Sequence, residues 1–282
     1  VSSKPNQKVA LITGSAGFIG FHVSQKLLQQ GWQVIGIDSM SDYYDVSLKQ
    51  AREQILIKEP SYISIHSRID DPGVLLEIFQ KKQPDIVVHL AAQAGVRYSL
   101  ENPRSYAESN ILGTFELLEA VKVHRPLHLL MASTSSVYGA NINMPFKEED
   151  KADMQLSFYA ATKKATENMA HSYAYLFDIP TTVFRFFTVY GPWGRPDMAL
   201  FKFTKAMLKN EAIDIYNYGN QSRDFTFIDD IVNAIISLIK KIPSGRTVSD
   251  SKIDLGIKDR PVAPFRVINL GNSKPIKLMD FI

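Results

Sequence analysis

The sequence of 282 residues predicts an α/β fold built on a doubly wound parallel sheet. Short apolar runs alternate with longer periodic segments through the first two thirds of the chain, which indicates strands separated by helices. The apolar runs show little polar–apolar alternation, as expected of strands that are covered on both faces. A glycine-rich turn follows the first strand and predicts a ligand site at the carboxyl edge of the sheet.

Strands and helices alternate regularly from Lys8 to Phe187. The strands are predicted at Lys8–Ile12, Gln33–Ile37, Tyr62–His66, Asp85–Leu90, Leu127–Ala132 and Thr181–Phe187. The helices between them are predicted at Phe21–Gln30, Val46–Ile57, Val74–Lys82, Arg104–His124 and Phe158–Phe177. Gly31 stands where a glycine commonly ends a helix, so the first helix has a clear C-terminus.

The regular alternation ends after Phe187, and we predict a main domain over residues 1–187 and a smaller substrate-binding lobe over 188–282. Within the lobe, residues 223–241 are expected to pack back on the main domain. The predicted elements of the lobe are a helix at Ala199–Lys209, strands at Ile213–Tyr218 and Phe265–Leu270, a strand–helix pair at Arg223–Lys240, a loop at Pro243–Pro264, and the start of a helix at Ile282.

Composition excludes several classes of function. The chain has no cysteine, which excludes disulfides, thiolate catalysis and cysteine-ligated metals, and fits a reducing compartment such as the cytoplasm. The net charge of +3 comes without a basic cluster, so we expect no nucleic-acid partner. No apolar run is long enough to span a membrane, and no metal site is expected. The mild positive charge suits an anionic substrate.

The turn Gly14–Gly20 has the spacing GxxGxxG between a strand and a helix. Gly14, Gly17 and Gly20 permit a tight turn and a close approach of the backbone to a diphosphate at the helix N-terminus. Asp38 ends the second strand, where an acid binds the ribose diol of a dinucleotide. Because a carboxylate there repels a 2′-phosphate, this Rossmann-type site favours NAD over NADP.

Tyr159 and Lys163 lie four residues apart and therefore share one helix face. A tyrosine with its ordinary pKa near 10 is a poor base, but a neighbouring cation favours the phenolate. The tuned phenol can then take a proton from a sugar hydroxyl. Thr134, at the end of an upstream strand, is placed to bridge the hydroxyl and the tyrosine.

These residues resemble the extended short-chain dehydrogenase/reductase family, and within it the UDP-glucuronate 4-epimerases. The resemblance covers nearly the whole chain. The segments that carry it are Gly14–Gly20, Asp42–Lys49, His89–Pro103, Ser133–Gly139, Tyr159–Lys163 and Arg185–Met198.

The resemblance implies NAD as the cofactor, a UDP-sugar as the substrate and a homodimer formed through the helices near Arg104–His124 and Phe158–Phe177. It implies that the catalytic residues are Thr134, Tyr159 and Lys163. The implied cofactor-binding residues are Gly14, Gly17, Phe18, Ile19, Gly20, Asp38, Lys49, Leu90, Ala91, Ala92, Gln93, Asn110, Tyr159 and Lys163. The implied substrate-binding residues are Arg97, Ser135, Ser136 and Thr188 near the sugar carboxylate, and Arg195 and Arg223 near the diphosphate, where a guanidinium fork suits phosphate oxygens.

Ser135 and Ser136 favour epimerisation over neighbouring activities of the family. Related 4,6-dehydratases carry Asp-Glu after the threonine, and UDP-glucuronate decarboxylases carry Glu where Ser136 stands. A serine pair donates hydrogen bonds to a carboxylate, whereas an acid repels it. The alternatives left open are a UDP-hexose 4-epimerase, a decarboxylase, and an inactive NAD-binding sensor or scaffold.

Two features depart from the family pattern. Arg68 stands where relatives place an acid that binds adenine, with Asp70 and Asp71 just beyond. Relatives also continue for some tens of residues past the position of Ile282, so we expect part of the uridine pocket to lie outside this sequence.

Overall fold

The computed structural model describes residues 7–245 and 262–282. In these residues the strands form two sheets. The strands are β1 Val9–Thr13, β2 Gln33–Asp38, β3 Tyr62–His66, β4 Ile86–His89, β5 His128–Thr134, β6 Thr181–Phe186, β7 Thr188–Tyr190, β8 Ser222–Phe227, β9 Phe265–Leu270 and β10 Pro275–Lys277. The helices are α1 Phe18–Gln29, α2 Val46–Ile57, α3 Val74–Lys82, α4 Tyr98–Glu101, α5 Pro103–Tyr106, α6 Gly113–Val123, α7 Phe158–Phe177, α8 Ala199–Leu208, α9 Ile228–Ile239 and α10 Leu278–Phe281.

The larger sheet has seven parallel strands in the order β3-β2-β1-β4-β5-β6-β9. This order confirms the predicted doubly wound Rossmann-type fold. The chain direction across the sheet reverses at β1, which pairs with β2 on one side and β4 on the other. The carboxyl ends of these strands frame a crevice, and ligands of such sheets bind there.

Two apolar clusters cover the two faces of the large sheet. Phe21 and Leu27 of α1 pack with Ile231 and Ile235 of α9 on one face. On the other face the helices α3, α6 and α7 pack together, and their cluster includes the fully buried Phe79. Strands covered on both faces explain the uninterrupted apolar runs of the sequence.

The segment after β7 contributes to both parts of the molecule. A small sheet in the order β10-β8-β7 pairs β10 antiparallel and β7 parallel to β8. The chain then returns to the large sheet, since α9 packs on α1 and β9 extends β6. The boundary at residues 187 and 188 stays a prediction. Most of the predicted loop Pro243–Pro264 lies outside the described residues.

Three predicted elements differ in the structure. No strand forms at Ile213–Tyr218, because Asn217 and Tyr218 have φ of 51° and 52°, which is incompatible with a strand, and these two residues make a left-handed turn instead. The predicted helix Arg104–His124 consists of α5, a π-helical segment at Ala107–Leu112, and α6. The first helix begins at Phe18, three residues earlier than predicted. The predicted start of a helix at the end of the sequence is confirmed by α10.

Candidate active site

A cavity of about 580 Å³ extends along the carboxyl ends of β1 to β6, within the size range of small-molecule sites. The glycine turn forms one end of it, and the first turns of α7 and the segment from Arg195 to Met198 form the other walls. The residues of the predicted site that line this cavity are Gly14, Gly17, Phe18, Ile19, Gly20, Asp38, Lys49, Leu90, Ala91, Ala92, Gln93, Thr134, Tyr159, Lys163 and Arg195.

The glycine turn is too tight for side chains at two positions. Gly14 has φ of +71°, and a Cβ added there would lie 2.8 Å from the amide nitrogen of Ala91. A Cβ at Gly20 would lie 2.1 Å from the carbonyl oxygen of Gly14. Helix α1 therefore starts directly against β1, and its free N–H groups and positive dipole face the cavity, as a bound diphosphate requires.

Asp38 and Lys49 stand together at the β2 end of the cavity. The Asp38 carboxylate accepts hydrogen bonds from the amides of Ala16 (3.1 Å) and Met40 (2.9 Å). The Lys49 ammonium lies 3.6 Å from the same carboxylate and donates to Ser41 (2.9 Å). Burial lowers the pKa of Lys49, and the Asp38 charge acts in the opposite direction. The arrangement fits the adenosine ribose of a dinucleotide.

Asn110 lies behind the cavity wall rather than on it. Its side chain accepts from the Gln93 amide (2.8 Å) and donates to the Gln93 carbonyl (3.1 Å) and to Thr162 (3.0 Å). Asn110 thus shapes the loop after β4, which carries four of the predicted cofactor residues. Its position inside the π-helical segment explains how it reaches both the loop and α7.

Tyr159 lies in the first turn of α7, which begins after Ser157 caps the helix by accepting from the Ala160 amide (3.1 Å). Burial raises the pKa of Tyr159, while the positive charge of Arg195 and the hydroxyl of Thr134 lower it. We expected Lys163 to be the cation that tunes this phenol. In the structure Arg195 is the cation that lowers the pKa of Tyr159.

Lys163 is buried one turn along α7 from Tyr159. Burial lowers the pKa of Lys163 to about 8, and the Glu167 carboxylate acts in the opposite direction. Glu167 is itself paired with the buried Arg185 through contacts of 2.8 and 3.0 Å and accepts from Ser133 (2.6 Å). Lys163 is therefore a cation that can release its proton close to neutral pH.

Thr134 ends β5 and faces the cavity, whereas Ser135, Ser136 and Thr188 do not line it. The Thr134 hydroxyl donates to the Ser136 hydroxyl (3.2 Å) and accepts from the Ser136 amide (3.2 Å). This turn keeps the serine pair next to Thr134, and Thr188 begins the neighbouring strand β7.

Of the three arginines of the predicted site, Arg195 alone lines the cavity. Its guanidinium binds Asp197 through both Nε (3.0 Å) and Nη2 (2.5 Å). Arg97 is exposed and stacks over the Tyr216 ring at 3.7 Å. Arg223 is exposed and donates to the Ser222 carbonyl (2.9 Å) and to Gln221 (3.0 Å).

Two side chains near the site were not predicted from the sequence. Tyr43 lines the cavity and donates to Asp197 (3.3 Å), so it connects the β2–α2 segment to the segment of Arg195. Arg52 is fully buried beside the glycine turn. Tyr43 lies within a segment that already carried the family resemblance, whereas no local pattern marks Arg52, because its partners are distant in sequence.

Arg68, the departure noted in the sequence, lines the cavity together with Asp70 and Glu108. Its guanidinium donates to Asp70 from Nε (3.1 Å) and Nη2 (2.6 Å), and to Glu108 (3.3 Å). A carboxylate thus stands beside Arg68 at the end of β3.

In the described part of the chain, no cluster of three or more histidine or acidic side chains could hold a metal ion. None of the described helices combines the length and hydropathy needed to cross a bilayer.

Comparison with known proteins gives consistent matches over most of the chain. A probable UDP-glucuronate 4-epimerase of Rhizobium meliloti (strain 1021) is 50% identical over 274 residues, which cover 96% of this chain and 80% of the relative. Protein CapI of Staphylococcus aureus is 52% identical over 273 residues, with the same shares of 96% and 80%.

The solved structures include a UDP-glucuronic acid 4-epimerase from Bacillus cereus in complex with UDP-glucuronic acid and NAD. It matches with a TM-score of 0.83 and 34% identity, and the match covers 97% of this chain and 81% of that one. The sequence profile of the NAD dependent epimerase/dehydratase family matches residues 10–250. With the glycine turn, Asp38 and the Tyr159–Lys163 pair in one cavity, the chain belongs to the NAD dependent epimerase/dehydratase family.

Proposed function

We propose that this protein is an NAD-dependent isomerase that inverts C4 of a UDP-uronic acid and interconverts UDP-glucuronate and UDP-galacturonate. The observation that carries the proposal is the arrangement of Thr134, Tyr159 and Lys163 at one end of the cavity that the glycine turn and Asp38 close at the other. The relatives that match over most of the chain, named as UDP-glucuronate 4-epimerases, support the same reaction.

Tyr159 is the base that takes the proton from the C4 hydroxyl, and Thr134 bridges the hydroxyl and the phenol. Arg195 supplies the positive charge that favours the phenolate against the opposing effect of burial, and the Thr134 hydroxyl acts in the same direction as Arg195. Lys163, one helical turn away, is the second cation of the site. NAD, held by the glycine turn and Asp38, would supply the hydride acceptor and donor for C4. Tyr159 gives the proton back to the oxygen as the hydride returns to the opposite face of C4, and the return of the hydride makes the cycle redox-neutral.

We propose that Ser135, Ser136 and Thr188 hold the sugar carboxylate, helped by Arg97. Ser135 and Ser136 follow the cavity-lining Thr134, and Thr188 stands between Phe187 and Val189, which also line the cavity. Hydroxyl and amide groups at these positions donate hydrogen bonds to a carboxylate. An acidic side chain in their place would repel the carboxylate. Holding the carboxylate in place also protects a 4-keto acid, which readily loses CO2. Arg195, which lines the cavity, binds the diphosphate, for which a guanidinium fork is well suited. Arg223, exposed on β8, is proposed as a second ligand of the diphosphate.

The experiment that tests the function is incubation of the protein with UDP-glucuronate without added NAD, followed by separation of the products. UDP-galacturonate is the expected product, formed with a cofactor that stays bound between turnovers. A UDP-pentose released together with CO2 would instead identify a decarboxylase and overturn the roles of Ser135 and Ser136. Turnover of UDP-glucose alone would identify a UDP-hexose 4-epimerase, and bound NAD without any turnover would favour a sensor or scaffold.

We propose in addition that the protein is a homodimer that acts in the cytoplasm. Large apolar side chains on the two predicted contact helices are exposed, among them Phe115 (42%), Val123 (56%) and Leu176 (62%). The absence of cysteine supports a reducing compartment. Sedimentation velocity should give a dimer for the protein and a monomer for Phe115→Arg, and a monomeric wild type would contradict the proposal.

A further inference from the structure

Arg52 is the largest fully buried side chain of the described residues, and its position on α2 has no role in the chemistry derived so far. No ion pair of Arg52 forms within the described ranges, and its Nε has no hydrogen-bond partner there. Burying a guanidinium without a carboxylate partner costs desolvation free energy. The hydrogen bonds of Arg52 have to offset that cost.

The hydrogen bonds of Arg52 point to two separate segments of the cavity wall. Nη1 donates to the carbonyl of Ala16 within the glycine turn (3.0 Å) and to the Tyr44 hydroxyl (2.9 Å). Nη2 donates to the carbonyls of Trp193 (2.6 Å) and Gly194 (3.4 Å). Arg52 thus joins the cofactor turn to the two residues that directly precede Arg195.

The segment from Pro192 to Asp197 has other contacts with the main domain, but each is weaker or lies at its ends. His22 contacts the Pro192 carbonyl (3.0 Å), the ring of Trp193 packs near Phe21 at 5.8 Å, and Tyr43 donates to Asp197 (3.3 Å). Arg52 contributes the charge-assisted bonds at the centre of the segment, and such bonds are stronger than neutral ones.

We propose that Arg52 is a positioning residue that fixes Arg195 in the cavity and thereby sets the affinity for the diphosphate of the nucleotide sugar. Its fork holds the Trp193 and Gly194 carbonyls, so the backbone that carries Arg195 is anchored to the same group that supports the glycine turn. The proposal rests on the role of Arg195 given under the proposed function.

A double-mutant cycle on the full chain tests this role, with UDP as the probe and calorimetry as the measurement. Arg52→Lys keeps one charge and one donor for the Ala16 carbonyl but loses the fork. We expect it to weaken UDP binding about tenfold while the NAD content stays within about twofold of the wild type. Arg195→Ala should weaken UDP binding at least as much, and the double variant no more than Arg195→Ala alone.

Steady-state kinetics adds a measurement that would not change if Arg52 only stabilised the fold. For Arg52→Lys we expect KM for UDP-glucuronate to rise and the pH profile of kcat to move to higher pH, because Arg195 both binds the diphosphate and lowers the pKa of Tyr159. Arg266→Lys is the matched control, since this half-buried guanidinium on β9 donates to Thr182, far from the cavity. It should leave the UDP affinity unchanged.

Additive losses of UDP affinity in the cycle would overturn the proposal, as would a lower Tm with unchanged UDP affinity. If Arg52→Lys does not fold, Tyr44→Phe removes one acceptor of the fork and should weaken UDP binding in the same direction but less. An unchanged UDP affinity in Tyr44→Phe would then count against Arg52. Failure of the proposed function is separate, because it would appear as absent epimerisation in the wild type.

Discussion

The pKa of the Tyr159 phenol depends on charged groups that the fold brings close to it. Burial raises its pKa, and the cation that lowers it in the structure is Arg195, from a segment 36 positions away in sequence. Lys163, one helical turn away, has its own pKa lowered to about 8 by the same desolvation. The sequence pattern therefore predicts the two groups correctly as neighbours but not which cation dominates.

The first prediction concerns Tyr159→Phe. Removing the phenol removes the base for the C4 hydroxyl, so kcat should fall by at least about a hundredfold, the typical contribution of a general base. NAD should stay bound, because the glycine turn and Asp38 are unchanged. The measurement is product formation together with the NAD content after gel filtration. Tyr175→Phe, on the same helix but exposed, is the control and should keep full activity.

The second prediction concerns the pH dependence of stability at Lys163. Its pKa of about 8 in the folded protein lies below its unfolded value near 10.4, so between these values the unfolded chain binds more protons. Wild-type stability therefore gains from Lys163 as the pH rises from 8 to about 10.4. Below pH 8 the buried charge of Lys163 lowers the free energy of unfolding by roughly 3 kcal/mol.

Urea unfolding of the cofactor-free protein measures this effect. Lys163→Met should be more stable than the wild type at pH 7, and the difference should shrink as the pH rises through 8 towards 10.4. The exposed Lys81→Met should show no such trend. A difference between Lys163→Met and the wild type that stays constant over this range would contradict the assignment of the shift to burial.

At the scale of the elements, the turn from β1 to α1 shows how a short motif positions a ligand. Gly20 lets the first turn of the helix lie against the Gly14 carbonyl, so the N-terminus of α1 points into the cavity. No other residue type fits there, because any Cβ would overlap backbone atoms that cannot rotate away.

The third prediction concerns Gly20→Ala. The added methyl group has to displace α1 from β1, so the variant should lose about 1–3 kcal/mol of unfolding free energy and most of its affinity for NAD. Ser24→Ala, also buried on α1, removes a hydroxyl that has no hydrogen-bond partner among the described residues and should be neutral or slightly stabilising. NAD titration by calorimetry distinguishes the two variants.

The elements that the sequence predicts well are those set by local pattern. The apolar runs of the six strands up to β6 depend on neighbours in sequence, and these strands form within two residues of the predicted bounds. The π-helical segment around Asn110 depends on a backbone hydrogen-bond shift that no side-chain pattern records. The apolar residues at Ile213–Tyr218 resemble those of a strand, but the segment pairs with neither sheet of the described residues.

The candidate site was predictable to the same degree. Gly14, Asp38 and Tyr159 lie in motifs with fixed spacing, and the strand order brings them into one cavity. Tyr43 contacts Asp197 and Arg52 contacts Trp193, each about 140 or more positions away, so only the folded chain shows these contacts.

At the scale of the whole molecule, the two predicted lobes share one core. Ile231 and Ile235 of α9 pack in the cluster of α1, and β9 completes the large sheet. The chain thus leaves the main domain after β6, builds the small sheet, and returns, which makes the two parts interdependent.

The fourth prediction follows from this shared core. Ile235→Ala removes a fully buried side chain and should cost about 2–5 kcal/mol. In a Trp32→Phe background, Trp193 is the remaining tryptophan and reports on the contact of the segment after β7 with α1. Its fluorescence and the far-UV circular dichroism should unfold at one shared midpoint, before and after the substitution. Separate midpoints would mean that the lobes unfold independently.

The place of β9 also matters while the protein is being made. A ribosome delivers β6 at residue 186, but the strand that covers its open edge starts only at residue 265. Throughout that interval the nascent chain exposes an unpaired parallel edge, and such edges recruit other strands. Chaperone demand should therefore be highest for ribosome-bound chains that end between these two strands, and should fall once β9 has emerged from the exit tunnel.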